Sequence, residues 1–177
     1  EEEDISLNEV ALVIKALSDQ LCELVAKNAD ALNQIEWRDL ERVVATTLEK
    51  LGFKVELTPP AKDGGKDVIA SCIVENKEMR FYIEIKHWKK GGRPGLKHIS
   101  EFIELNVRES TNGGLFLSCS GYTLDVYSQL SEIKYQHVHL GQKEKIVSLC
   151  QQYVKRKQGL WVSQLPLPDL LFENTLN

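Results

Sequence analysis

The sequence predicts an α/β fold: a mixed sheet flanked by helices, with a core in the order α-β-β-β-α-β. Three observations carry this. Helix-period apolar stripes precede and follow a block from Phe53 to Lys86 that holds three short runs of β-branched and aromatic residues. Clusters of glycine, proline and polar residues separate those runs. Further on, Leu115-Phe116-Leu117 is apolar without alternation, as in a central strand covered on both faces.

The 177 residues suffice for one domain with a sizeable core. No apolar run approaches the ~20 residues that span a bilayer, and no signal peptide is visible, so the expected setting is cytoplasmic, with no membrane partner. The first residue is Glu rather than Met, which leads us to expect a processed product or part of a longer protein. Four cysteines, Cys22, Cys72, Cys119 and Cys150, lie far apart in apolar segments with no zinc-like spacing. They are expected as reduced, buried residues.

A net charge of −4 taken alone argues against a nucleic-acid partner. Its distribution does not. Glu1, Glu2, Glu3 and Asp4 account for the whole excess, whereas Lys86 to His98 holds five basic residues, two histidines and no acid. Local charge decides whether a phosphate backbone is attracted.

In chain order, Ser6 and Glu9 form a capping-box pattern that predicts a helix from about Leu7. Leu7, Val10, Ile14, Leu17, Leu21 and Leu24 then alternate steps of three and four over three heptads. Such a stripe suits a helix laid on its own domain, or a dimer seam or connector. This segment, 1–32, is set apart from a core at 33–158. A second helix is predicted from about Asn33 to Leu51, with Gly52 as its stop and Trp37, Leu40, Val44, Leu48 and Leu51 as its apolar side. Glu41 lies at the edge of that stripe, either a surface charge or an acid aimed into a site.

Phe53, Val55 and Leu57 alternate with charges as a first strand, and Asp63-Gly64-Gly65 makes a turn into a second, Val68 to Val74. Glu75 to Glu78 reads as a hairpin connection before a third strand, Arg80 to Lys86. A basic loop with Trp88 follows, then a helix opened by Pro94 and running to about Arg108. The fourth strand is Leu115 to Cys119. A helix capped by Thr123 runs to about Lys134, His137 to Leu140 is a short strand, and a last helix covers 142–156. The tail, 159–177, is too apolar for a free linker and is expected to pack on the domain or on a partner.

Asp67 stands at the mouth of the second strand, and strand alternation puts Glu84 and Lys86 on one face of the third. Two carboxylates can hold a hard divalent cation such as magnesium, which needs only one or two because it keeps several waters. A lysine one strand-step away can orient or deprotonate water, or stabilise charge building on a phosphorane. The set suits phosphodiester hydrolysis. Lys89, Lys90, Arg93 and Lys97 are candidate contacts to phosphate oxygens, the alternative being a solvated loop. Trp88 is a candidate for base stacking, the alternative being loop packing.

Aspartate opening one strand and Glu-x-Lys near the end of the next resembles the PD-(D/E)xK nuclease signature. Leu40-Glu41 in a helix ending Leu51-Gly52-Phe53, then Val55, Thr58, Asp63-Gly64-Gly65 and Asp67, resembles the Mrr-like restriction endonuclease pattern. Gly114 to Leu117 and Ser118 to Tyr122 match its later strand and turn. The resemblance covers about Trp37 to Leu149. It implies the restriction-endonuclease-like fold, with Asp67 and Glu84 as metal ligands, Lys86 as the catalytic lysine and Glu41 as a further acid directed at the metal. It also implies Mg²⁺ (or Mn²⁺) as cofactor, DNA as substrate, defence against foreign DNA as the setting, and a homodimer or higher oligomer. Glu84 replaces the Gln of many Mrr-like members, Leu40 their usual Phe, and Lys66 intervenes between the glycines and Asp67. A non-cleaving nucleic-acid-binding or assembly module on the same fold, and an RNA or single-strand nuclease, stand as alternatives.

Overall fold

The structure is a computed structural model that describes residues 2–59, 65–160 and 164–177, with side chains from Leu7 onward. Asp63 and Gly64 of the expected turn, and Trp161 and Val162 of the tail, lie outside the described residues. The chain runs α1 (Glu2–Lys27), a short 3-10 helix (Ala29–Gln34), α2 (Trp37–Leu51), β1 (Lys54–Leu57), β2 (Val68–Val74), β3 (Lys77–Lys86), α3 (Leu96–Arg108) and β4 (Gly113–Ser118). It continues with α4 (Leu124–Tyr127), α5 (Leu130–Tyr135), β5 (Val138–Gly141), α6 (Lys143–Lys157) and α7 (Leu167–Phe172).

The five strands form one mixed sheet in sequence order. β1, β2 and β3 are antiparallel neighbours, and β4 and β5 continue in parallel with β3. The turn between β2 and β3 is Glu75-Asn76, both left-handed (φ 49° and 64°), the backbone that a two-residue hairpin requires. It is tighter than the four-residue connection expected, so β3 begins at Lys77. Every residue of β4 is buried, as its unbroken apolar run predicts.

Alternation along β3 divides the core. Phe81, Ile83 and Ile85 face α1, α2 and α6, packing with Leu40, Val44, Leu48 and Leu149. Tyr82 faces the other way, into a cluster with Phe102, Phe116, Tyr122 and Ile133. α3 rests directly on β4. A Cβ at Gly114 would lie 2.6 Å from Phe102, so only glycine admits this approach.

Several element ends differ from the sequence expectation. α1 starts at Glu2, so Ser6 and Glu9 lie inside it and no capping box opens it at Leu7. Residues 29–34 wind as a 3-10 turn, so α2 begins only at Trp37, with Glu36 as its N-cap and Trp37 half exposed. Gly95, not Pro94, precedes α3. The segment after Thr123 breaks into two short helices, and the Thr123 hydroxyl donates to Asp125 instead of capping the backbone. The tail forms α7, a helix that its Pro-x-Pro spacing conceals. All four cysteines are free, Cys119 half-buried and the others buried.

α7 is fixed from beneath by Lys145, fully buried, whose ammonium donates to the carbonyls of Leu170 (3.0 Å) and Glu173 (2.5 Å). Phe172 stacks on His139 at 4.2 Å and meets Phe81 edge-on at 5.5 Å. The last residues cover the outer edge of β5: Leu176 N donates to Leu140 O, and Leu140 N to Asn177 Oδ1, each at 2.8 Å. An otherwise open strand edge is thereby closed.

Candidate active site

Where β2 begins and β3 ends, the sheet brings Asp67, Glu84 and Lys86 together. Asp67 is held on three sides. Its N–H donates to Ile83 O at 2.8 Å, its carbonyl accepts from Thr58 N at 2.9 Å, and its Oδ2 accepts from Ile85 N at 2.6 Å. The first two contacts fix the main chain and the third holds the carboxylate, so the side chain is positioned from both ends. Glu84 follows Ile83 on the opposite face of β3, is buried, and pairs with the Lys86 ammonium.

Glu41 arrives from the other layer. α2 covers the Ile83 and Ile85 face, yet Glu41 reaches the end of the sheet near Asp67 and is 2% exposed. Burial pushes its carboxyl above the usual range; the Arg38 hydrogen bond opposes this, and the neighbouring Asp67 charge adds to it. Arg38, one helical turn earlier, makes the ion pair with Glu41.

Two clefts flank this ridge, and Asp67 and Lys86 line both. One, of about 380 Å³, is walled by Glu84 and by His98, Glu101, Glu104 and Arg108 of α3. The other, of about 260 Å³, is walled by Trp37, Arg38, Glu41, Thr58 and Trp88. Among the described residues no three His, Cys, Asp or Glu side chains stand close enough to form a metal cage unaided. The donor set nevertheless fits a hard cation. Val68 pairs with Ile83, so Asp67 and Glu84, the next residue on each strand, stand opposite one another at this end of the sheet, and Glu41 and Asp67 crowd like charges that a cation would relieve.

The basic loop is anchored rather than loose. Trp88 meets His98 edge-on at 5.4 Å, and a Cβ at Gly92 would fall 2.7 Å from the Trp88 ring. Ser120 Oγ donates to Gly92 O at 2.7 Å, and His87 Nε2 lies 2.8 Å from Ile35 O. Trp88 thus pegs the loop while leaving part of its ring in the smaller cleft. Lys89, Lys90, Arg93 and Lys97 are exposed; Lys89 pairs with Glu36 at 2.7 Å, and Lys97 approaches Glu101 at 4.0 Å.

Sequence reasoning did not name Arg38, and it gave no structural role to Thr58 and Lys66, which it named only within the family pattern. Arg38 carried a signal, a cation one turn from a buried acid. Thr58 was named only as a member of the family pattern; its hydroxyl donates to Lys66 O at 2.7 Å, beside Asp67. Lys66 carried none: its ammonium pairs with Glu109, the residue that caps the end of α3, at 2.5 Å and sits 4.2 Å over the Tyr82 ring, and the Tyr82 hydroxyl donates to the same carboxylate. This brace fixes the backbone immediately before Asp67, and its partner lies 43 residues away.

Residues 32–150 match the sequence model of a restriction endonuclease family, the Mrr catalytic domain. An uncharacterized protein, y4cE, of Sinorhizobium fredii (strain NBRC 101917 / NGR234) is 45% identical over 164 residues. That match takes in 93% of this chain and 42% of the relative, so the chain spans less than half of that protein's length. Among solved structures, the DNA modification-dependent restriction endonuclease AspBHI aligns with a TM-score of 0.51 at 21% identity, over 80% of this chain and 36% of that one. Restriction endonuclease FokI aligns with a TM-score of 0.52 at 14% identity, over 86% of this chain and 29% of that one. At such identities these two speak for the fold alone.

Proposed function

The chain belongs to the Mrr-type restriction endonuclease family, and from that premise we propose that it is a Mg²⁺-dependent DNA endonuclease acting in defence against foreign DNA. The observation that carries the reading is the meeting of Asp67, Glu84 and Lys86 on a ridge between two clefts, with Glu41 behind it.

Asp67 and Glu84, with Glu41 as a further acid, would hold Mg²⁺ or Mn²⁺. Such a cation neutralises phosphate charge and lowers the pKa of bound water. The chain's own groups do the rest. Lys86, freed from Glu84 when substrate enters, faces the reacting phosphate and stabilises the charge that grows on its oxygens, or takes a proton from the attacking water. Arg38 keeps Glu41 oriented toward Asp67. Lys89, Lys90, Arg93 and Lys97 lie downstream of Lys86 along the same rim and would meet backbone phosphates, while the exposed part of Trp88 could touch a sugar or base.

The test is cleavage of plasmid, linear duplex and RNA with Mg²⁺, Mn²⁺ or EDTA, alongside Lys86→Ala. Nicking or linearisation of DNA that requires metal and is lost in the variant supports the reading. Binding without cleavage, unchanged by Lys86→Ala, would favour a non-cleaving module, and preference for RNA or single strands would move the substrate class.

A further inference from the structure

The smaller cleft beside the reacting ridge has two tryptophans on its walls, and one of them has no role inside the fold. Trp37 is half exposed and belongs to neither core cluster. Among the described residues its indole makes no hydrogen bond and no aromatic contact. An indole left in water forgoes a large gain from burial unless a ligand covers it. Trp88 shares the cleft; it is pinned by His98 and Gly92, yet over a third of it stays exposed. The residues that flank Trp88 are tied to those just before Trp37. His87 Nε2 meets Ile35 O at 2.8 Å, and Lys89 Nζ donates to Glu36 Oε1 at 2.7 Å. The two indoles therefore project from segments already fastened together, and the cleft of about 260 Å³ is formed before a ligand arrives.

We propose that this cleft is a nucleobase subsite that takes an unpaired base of the DNA strand being cut, a role that rests on Asp67, Glu84 and Lys86 being the reacting end. Charge selects a base over a phosphate. Arg38 is paired with Glu41, Lys86 with Glu84 and Lys89 with Glu36, while Glu41 and Asp67 bring negative charge to the cleft. Two indoles suit a neutral planar ring instead. Asp67 and Lys86 line both clefts, so a base held here belongs to a nucleotide next to the phosphate on the ridge. A paired base is stacked on both faces and must first leave the helix. A base already bulged, mismatched or single-stranded enters at less cost. Stacking on indole accepts any base, so the subsite selects unpaired structure rather than sequence.

Fluorescence anisotropy in EDTA, where no metal supports cleavage, compares three labelled DNAs: a paired duplex, the same duplex with a single base bulged from one strand, and the same bulge without its base. The base bulge should bind about tenfold tighter than the abasic bulge. Trp37→Ala should bring the two level and Trp37→Phe should keep part of the gap. Both variants should hold the melting midpoint, because this side chain lies outside the core clusters. In the unsubstituted chain, 5-iodouracil placed at the bulge should photocross-link to Trp37 or Trp88. Equal binding of the base and abasic bulges overturns the proposal. So does a gap that survives Trp37→Ala, or a cross-link confined to other residues. The nuclease reading fails separately: a chain that cuts duplex without favouring the base bulge keeps that reading and loses this subsite. A chain that favours the base bulge but cuts nothing with any metal keeps the subsite and loses that reading.

Discussion

Glu41 and Lys145 are both stripped of water by the fold, and their surroundings differ in kind. Lys145 exchanges hydration for two fixed carbonyl oxygens at the end of α7, and burial lowers its pKa to about 8. Glu41 has a cation on one side, Arg38, and a like charge on the other, Asp67. The first environment gives the ammonium backbone oxygens to donate to, at a burial cost that they do not fully offset. The second places an acid where a further cation would be welcome. A buried charge answered by backbone is part of the architecture; a buried charge crowded by its own sign marks a place for a ligand.

That contrast can be broken by experiment, first at the reacting end. Lys86→Ala is expected to lower the cleavage rate at least ~10³-fold and Glu41→Gln ~10²–10³-fold in plasmid assays under saturating Mg²⁺. Glu41→Gln should leave the melting midpoint unchanged or higher, since it removes a charge that burial and Asp67 both disfavour. A large loss of stability there would make Glu41 architectural and erase the distinction.

Lys145→Ala should behave in the opposite way. Loss of the buried stem and of two hydrogen bonds is expected to cost about 2–4 kcal/mol in urea unfolding, with cleavage by the folded fraction nearly unchanged. pH sharpens the point. The folded pKa of Lys145, about 8, lies below its ordinary value of 10.5. Between those values the unfolded chain binds the extra proton, so stability contributed at this position rises with pH; below pH 8 both states are charged and the burial cost stands in full. Wild type should therefore gain up to about 3 kcal/mol relative to Lys145→Met between pH 8 and 10.5. A flat difference would mean that the ammonium is not desolvated.

The smallest effects belong to the exposed loop. Lys90→Ala or Arg93→Ala should reduce the salt dependence of DNA binding by about one unit of slope each, measured by fluorescence anisotropy in EDTA. Lys89→Ala should do less, because Glu36 already neutralises it.

Much of the site was legible because its logic is local. Alternation along β3 dictates that Glu84 and Lys86 leave the Ile83 and Ile85 face together, and Asp67 immediately precedes the β-branched run that forms β2. From spacing Glu41 was legible as an acid at the edge of an apolar stripe, and the family resemblance directed it at the metal; that it crosses from one layer to the end of the sheet depends on how α2 packs. The Lys66 brace was not legible at all, since Glu109 and Tyr82 come to it through sheet register and the return of α3. Trp37 was read as core because it lies on the stripe, but the 3-10 turn before it leaves the first turn of α2 at the rim of a cleft.

The two apolar ends of the chain draw the same line. Side-chain chemistry and period, written residue by residue, already mark both as carrying more apolar surface than a solvated segment tolerates. Packing then separates them. The tail finds Lys145, His139 and the open edge of β5 within its own domain and packs there, whereas α1 turns Ser18, Leu21, Cys22 and Val25 inward and leaves Leu7, Val10, Leu17 and Leu24 of its heptad stripe at least half exposed. Periodicity fixes which residues share a face, but whether that face meets a neighbour is settled by the packing of segments that are distant in the chain.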